Sequence, residues 1–515
     1  MVSKIHTATI VGIQVIAVTV ETDIAERGFP QLKIVGLPGK SVEEARERVR
    51  TALINAGYEI PARRVVVNLA PADVPKQSSR FDLPIAVGIL AAQGLIDGKV
   101  VEKSLFVGEI SLNGEIMPVS GIMPILDFAR QRGFSDVYIP IQNSSEALFA
   151  GTEMNVYGVH YLAEVILHLQ KSRPMIQIAI EELMLSESLN ENIVKENDFA
   201  HIKGQYHAKR ALEIAAAGGH NIILRGPPGT GKTMLAKAFV SILPPLTESE
   251  KVDIAKIQSI MFGGKGDNLS ISRAFRAPHH TISRAGMIGG GADLVPGEVT
   301  LAHRGVLFLD EFPEFPRSII EALRQPLEDG TVTITRVHGS ATYPSRFQLI
   351  AAANPCPCGY SGNKEKRCTC IGRQVANYNR RLSGPILDRI DLHISVPNIP
   401  EEDLLRSDID TEPTEKIRAR VIVARKLQLE RFSSLPGIRY VTNAEMTTQN
   451  VKKFVQLEPN ARSFLTNAFQ KLHFSPRSYF KILKVAQTIA DLENKHSISQ
   501  QIIAEAVQYR SFLYK

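Results

Sequence analysis

The chain has no tryptophan and few aromatics, 6% in all, while its hydrophobic fraction of 44% is ordinary for a globular protein. It can still bury sizeable cores. Cysteine is equally scarce: four residues in 515, all between 356 and 370. That placement excludes the dispersed disulfide framework of a secreted scaffold. Long apolar runs are missing too. The nearest, TIVGIQVIAVTV at residues 9–20, is too short for a membrane span, is interrupted by Gln14 and is dominated by β-branched residues. No small-residue cleavage site follows it, so it reads as strand rather than export signal, and the expected location is the cytoplasm with no membrane partner. Internal repeats and low-complexity tracts are also lacking. The length argues for about three domains, and a net charge of +7 with a pI near 9.1 leans toward anionic partners such as nucleic acid.

What is present is one stretch on which the rest depends, NIILRGPPGTGKT at residues 221–233. Ile222, Ile223 and Leu224 lead into Gly226, Pro227, Pro228, Gly229, Thr230, Gly231, Lys232 and Thr233, and a helical MLAKAFVSIL follows. Strand, Gly-rich loop and helix in that order make a Walker A phosphate loop. Its glycines turn backbone N–H groups toward the phosphates of ATP or GTP, the helix N-terminus adds positive charge, Lys232 reaches the β/γ-phosphates, and Thr233 can hold Mg²⁺. A second motif, GVLFLDE at 305–311, reads as a buried parallel strand ending in two acids. Asp310 is placed to support the metal and Glu311 to polarise water as general base. A third strand, FQLIAAANP, ends at Asn354, where a polar group positions water against the γ-phosphate, as in sensor 1.

Directly after Asn354, Cys356, Cys358, Cys368 and Cys370 form two C-x-C pairs separated by nine residues. Four thiolates so grouped supply a closed tetrahedral Zn²⁺ site; two disulfides, four free thiols or an Fe–S cluster are the alternatives. Residues 261–292 are rich in Gly and basic residues, among them Lys265, Arg273, Arg276 and Arg284, and read as a mobile insert; His279-His280 within it read as a loop feature rather than a metal site. TVTITRV and ATYP, flanking His338-Gly339-Ser340, carry a hairpin signal.

Residues 1–170 read as an α/β unit, 171–198 as a Ser/Glu/Asn-rich linker, 199–400 as the nucleotide-binding α/β core and 401–515 as an all-α lid. Near the N-terminus, Ser41 with Glu44 predicts a capping box, and Val42, Ala45, Val49, Ala52 and Leu53 predict one buried helical face. The segment FVGEISLNGEIMPVSGIMPILDFARQRGFSDVYIP resembles the proteolytic domain of Lon-type proteases, a fold shared with the ribosomal S5-like superfamily. That resemblance implies a Ser–Lys dyad, but Arg80 stands at the serine's position, after Ser78 and Ser79, and Met123 stands at the lysine's. The domain reads as a non-proteolytic scaffold.

Arg389, after SGPILD, and Arg477, in FSPRSYFKIL, stand where AAA+ ATPases carry the arginine finger and sensor 2. The stretches RAFRAPHHTISRAGMIGGGADLVPGEVTLAHRGVLFLDE and LRQPLEDGTVTITRVHGSATYPSRFQLIAAANPCPCGY, together with the Lon-like N-terminus, resemble the ComM/YifB group of Mg-chelatase-like AAA+ proteins. The resemblance covers essentially the whole chain. It implies a hexameric, DNA-dependent ATPase and helicase that drives branch migration on single-stranded and branched DNA during natural transformation, alongside recombinase-associated proteins. It places Arg336 and His338 on a hairpin facing DNA, with Arg276 a further DNA contact. It also implies that Arg389 serves a neighbour's ATP while Arg477 serves its own. Two other readings stay open: a chelatase-type remodelling ATPase acting on a protein without DNA, and an ATP-dependent protease.

Overall fold

The computed structural model describes residues 2–74, 76, 78–149, 151, 153–179, 198–263, 271–291, 294–336, 339–362, 366–382, 384–399, 412–434 and 441–510. The protein is mixed α/β with a helical C-terminal region. Its chain divides into two compact units. Unit 1 comprises Met1–Asn190, Glu248–Ser272 and Thr335–Thr342; unit 2 comprises Glu191–Thr247, Arg273–Ile334 and Tyr343–Lys515.

In unit 1, β1 (Ser3–Val11) and β2 (Gln14–Ile24) pair as an antiparallel hairpin, Val11 against Gln14, around Gly12 at φ 66°. With β3 (Gln31–Val35), β4 (Arg64–Ala70), β5 (Ser104–Phe106), β6 (Asp136–Pro140) and β7 (Asn155–Val159) they form a seven-stranded mixed sheet, ordered β3-β4-β2-β1-β5-β6-β7. Helix α1 (Lys40–Asn55) buries the five residues that its periodicity selects, Val42, Ala45, Val49, Ala52 and Leu53. The capping box expected at Ser41 and Glu44 does not form. Gly39 is the N-cap, with no side-chain cap, and Ser41 lies inside the first turn. The start is set by a contact distant in sequence: Gly39 N donates to Lys76 O at 2.7 Å, and the buried Lys76 ammonium donates to Gly36 O and Leu69 O. Helix α2 (Asp82–Ala92) is buried on nearly every side, and Arg48 of α1 grips its Asp82 through two hydrogen bonds, of 2.7 and 3.0 Å.

The helix Glu248–Phe262, which follows the phosphate-loop helix in sequence, belongs to unit 1. Its Lys256 donates to Asp127 at 2.6 Å, and its Ser259 carbonyl accepts from Gly121 N at 2.9 Å. Helix α3 (Ile122–Arg132) carries Met123, whose backbone N–H donates both to Ser259 Oγ at 3.1 Å and to the buried Glu146 carboxylate at 2.8 Å. Burial pushes Glu146 above the ordinary carboxylate range. The position where a Lon-like lysine would stand is thus a buried methionine beneath a helix that arrives from the ATPase segment of the sequence. Ser79 gives its hydroxyl to Glu109, and Arg80 is buried with its Nε on Ser78 Oγ at 3.1 Å.

In unit 2, α4 (Tyr206–Gly218) precedes a five-stranded parallel sheet. Its strands are β8 (Ile222–Arg225), β9 (Phe275–Arg276), β10 (Val306–Leu309), β11 (Gln348–Ala353) and β12 (Leu392–Ser395), in the order β9-β10-β11-β8-β12. Helices α5 (Lys232–Phe239), α6 (Gly372–Arg381), α7 (Thr414–Ser433), α8 (Pro476–Leu492) and α9 (Gln500–Gln508) complete the part that matters for the site. The C-terminal helices share one hydrophobic core with the sheet: Val421, Ile482 and Ile503 pack in the same cluster as Ile222, Phe308 and Ile394. Among the described residues, no helix is long and apolar enough to cross a membrane.

A buried polar knot holds α8 to the sheet. Asp391 accepts from Asn221 N at 3.0 Å and from the Lys481 ammonium, with His220 3.6 Å away. Burial by itself raises this carboxyl, but Lys481 and His220 outweigh it and hold Asp391 well below the ordinary range. A depressed pKa contributes stability that is fully present above the unfolded value near 4 and is lost only progressively as pH falls from there through the much lower folded value. Asp391→Ala should therefore cost about 3–5 kcal/mol by stranding a buried ammonium, and should flatten the acid limb of unfolding. Urea melts at pH 7 and at stepwise lower pH down to about 2 check both: a gap between the two proteins that does not narrow below about pH 4 would contradict the assignment.

Candidate ATP site

The phosphate loop is shaped by glycine where nothing else fits. Gly229 and Gly231 are left-handed, at φ 79° and 85°, and a Cβ on Gly226 would lie 2.0 Å from the Val396 carbonyl oxygen. Gly231 caps α5, so Lys232 and Thr233 are its first residues. Lys232 is nearly buried, and its ammonium donates to Gly226 O at 2.8 Å, Pro227 O at 2.7 Å and Asn354 Oδ1 at 3.2 Å. Burial lowers its pKa, against the pull of Asp310. Thr233 Oγ1 donates to Asp310 Oδ2 at 3.0 Å. A hydroxyl and a carboxylate side by side are hard oxygen donors, which fits Mg²⁺.

Parallel register brings these groups together. Leu224 aligns with Ala352 of β11, and Phe308 of β10 aligns with Ile350, so the ends of the three strands share one sheet edge. Asp310 and Glu311 follow the fully buried β10 at that edge. Glu311 sits at φ 49°, an uncommon backbone for a residue with a Cβ, its N–H tied to Asp310 Oδ1 at 2.9 Å and its side chain 52% exposed. His280 Nδ1 lies 3.6 Å from Glu311 Oε2 and its ring is 4.0 Å from that of His279. The motif reading missed this partner. The signal lies in the register: Arg276 aligns with Leu307, and four residues on from each come His280 and Glu311.

The two expected AAA+ arginines meet elsewhere. Arg389 ion-pairs with Glu328 and donates to Pro385 O at 2.9 Å; Arg477 pairs with the same Glu328 at 3.3 Å. Lys481, one turn beyond Arg477 on α8, bonds Arg389 O at 2.9 Å, which keeps the two guanidiniums together. The structure thus groups Arg477 with Arg389, not with Lys232, Asp310 and Asn354.

The four sulfurs lie within 4.8 Å of one another. Cys356–Cys358, Cys358–Cys368 and Cys356–Cys368 are 3.4, 3.6 and 3.7 Å apart, against about 3.8 Å for the edge of a tetrahedron with 2.3 Å Zn–S bonds. Backbone N–H groups of Cys358 and Ser361 point at Cys370 Sγ and Cys356 Sγ. Soft donors at that spacing fit Zn²⁺.

Of the DNA-contact residues, Arg276 is held by Glu298 in a two-point contact of 2.6 and 2.7 Å, which commits its fork within the protein. Arg336 is exposed at the end of the hairpin strand Thr331–Arg336, which pairs with Gly339–Pro344. His338 and Lys265 lie outside the described residues, as do 264–270 and 292–293 of the insert and 180–197 of the linker.

With this geometry in place, family comparison decides the matter. The family described as magnesium chelatase, subunit ChlI, matches residues 198–404, its C-terminal family matches 411–510, and a further ChlI family matches 20–143. Competence protein ComM of Haemophilus influenzae is 40% identical over 99% of this chain and 97% of its own length. This chain is a Mg-chelatase-like AAA+ protein of the ComM/YifB family. The uncharacterized protein YifB of Escherichia coli is 39% identical over 99% of the chain and 97% of its own length. DNA replication licensing factor mcm7 of Schizosaccharomyces pombe is 22% identical over 73% of the chain and 49% of its own length. As a ComM/YifB protein the chain is an AAA+ ATPase of the kind that uses ATP and Mg²⁺, and the Walker groups described above are the residues that fit them.

Proposed function

We propose that this protein is an ATP-driven, ring-forming DNA motor, a hexameric helicase that promotes branch migration when single-stranded DNA is recombined into a duplex. The observation that carries the reading is the meeting of Arg389 and Arg477 on Glu328 while Lys232, Thr233, Asp310, Glu311 and Asn354 gather at the sheet edge. A site equipped with base, metal donors and water sensor, in a chain whose arginines are grouped on another carboxylate, is completed by a second copy. Both arginines then act on a neighbour's ATP, which replaces the same-subunit role expected for Arg477.

In this reading Lys232 exchanges its carbonyl partners for phosphate oxygens. Thr233 and Asp310 would hold Mg²⁺, which would supply charge neutralisation for the bound phosphates. Glu311 takes the proton of the attacking water, Asn354 orients that water, and Arg389 stabilises charge developing on the transferred phosphoryl group. DNA as the partner draws support from the basic balance of +7, the exposed Arg336, and relatives named for competence and for DNA replication licensing. Zn²⁺ is the proposed occupant of the four cysteines. The N-terminal domain is proposed to be a non-proteolytic scaffold, since the position of its would-be lysine is Met123.

ATPase rate with and without forked DNA, paired with three-strand branch migration, tests the proposal. Stimulation of at least about fivefold is expected, the lower end of ordinary coupling between two sites. No response in either assay sinks it. The family description favours one second reading, a chelatase-type ATPase that remodels a protein partner. It predicts ATP turnover indifferent to DNA.

A further inference from the structure

The cysteine loop is built into the ATP site rather than appended to it. The chain passes from β11 through Asn354 and Pro355 directly into Cys356. Gly359 closes the first turn, its N–H donating to Cys356 O at 2.9 Å, and it is left-handed at φ 85°. A Cβ on Gly359 would lie 2.5 Å from Cδ and 2.6 Å from Cγ of Pro228, so the backbone of this turn rests on the phosphate loop with no space for a methyl group. At the loop's base, Arg225, the last residue of β8, donates to Pro355 O at 3.2 Å and to Asn379 Oδ1 at 2.8 Å. Asn379 belongs to α6, which begins two residues after Cys370. At the far end of α6, Arg381 reaches Glu314 at 2.7 Å and Pro313 O at 3.3 Å, just beyond Glu311.

The cysteine loop and α6 therefore bracket three ATP-handling segments: Pro228 of the phosphate loop, the residue after the Asn354 sensor, and the turn that follows the Asp310-Glu311 pair. The loop has little core of its own. Of the described residues between 356 and 370, only Cys356 and Gly359 are buried. Its shape has to come from joining the sulfurs.

We infer that a thiophilic divalent metal bound by Cys356, Cys358, Cys368 and Cys370 sets the phosphate loop, so that metal occupancy and ATP affinity are thermodynamically linked. The inference rests on the Zn²⁺ assignment proposed above and adds its consequence. With the four sulfurs joined, Gly359 is fixed against Pro228 and the loop is ready for phosphate. Without the metal, the turn relaxes and part of the binding energy goes to reordering it. Linkage is reciprocal, so bound nucleotide also slows metal loss.

The test uses the full chain. Metal content is measured by mass spectrometry, and the Kd of a fluorescent ATP analogue before and after chelation and after Zn²⁺ is returned. One metal per chain and a Kd that rises about tenfold on stripping, then recovers, is expected. Cys368→Ser/Cys370→Ser should reproduce the loss. Gly359→Ala keeps all four sulfurs and should retain the metal while weakening nucleotide binding, which separates the contact from the fold should the stripped protein unfold. Protein with no metal and no Zn²⁺ uptake overturns the metal assignment. Metal bound with nucleotide affinity unmoved by its removal, or by Gly359→Ala, overturns the linkage and leaves the Zn²⁺ assignment standing. None of these readouts involves DNA, so they are independent of the motor proposal.

Discussion

Glu311→Gln should retain ATP binding to within about twofold while kcat falls about 10³-fold, the size of effect expected when a general base is removed and the binding groups are kept. The separation follows from the geometry. Lys232, Thr233 and Asp310 form their own set of contacts, Lys232 to Gly226 O, Pro227 O and Asn354, and Thr233 to Asp310. None of these contacts runs through the Glu311 side chain. Its carboxylate is half exposed at the edge of the sheet, with His280 3.6 Å away. Glutamine preserves shape and the backbone N–H bond to Asp310 but cannot accept a proton from water. Single-turnover hydrolysis and a nucleotide titration measure the two quantities separately. If affinity falls in step with rate, Glu311 holds nucleotide or metal, and its role as base is lost.

The second large effect belongs to Arg389. Arg389→Ala should lower kcat by about 10³-fold or more, the range seen for arginine fingers, with little change in nucleotide affinity. The pair with Glu328 is no reason to expect unfolding instead. Glu328 is half exposed and keeps Arg477 as partner, and such pairs contribute little to stability. The decisive experiment mixes two inactive proteins. A ring built from Glu311→Gln and Arg389→Ala subunits contains interfaces where an intact base faces an intact arginine, so the mixture should regain a measurable fraction of activity. A mixture as inactive as its components means that Arg389 serves its own subunit or no ATP at all. Arg477→Ala mixed with Glu311→Gln should behave alike, because one carboxylate gathers both arginines.

Much of the proposed catalytic set was readable because each member stands at the end of an apolar run. Ile222 to Leu224, Val306 to Leu309 and Leu349 to Ala353 are buried on both faces, as parallel strands between helices must be, and the polar residue that ends each run is delivered to the same edge. The buried face of α1 was equally plain, since a 3.6-residue period is a local property. Local signals failed where a distant contact outweighed them. Ser41 and Glu44 have the spacing of a capping box, yet α1 starts at Lys40 because Lys76 pins the backbone of Gly39. His280 looked like half of an isolated pair, and its partner is set by pairing between β9 and β10. Arg276, basic and set in a Gly-rich insert, turned out to be clamped by Glu298.

By itself the sequence determined the chemical groups on offer: a phosphate loop, two acids, a strand-end amide and four thiols, each carried by a strand end or a tight loop that its own neighbours specify. Only the tertiary structure decided who meets whom. Ser259 lies on Met123 across 136 positions and Arg477 joins Glu328 across 149, and the Gly359 turn rests on Pro228 of the phosphate loop. The physical reason is common to all three. Periodicity and propensity describe a residue's environment along its own element, whereas these contacts arise from register, buried charge and steric fit between elements that come together only when the cores close.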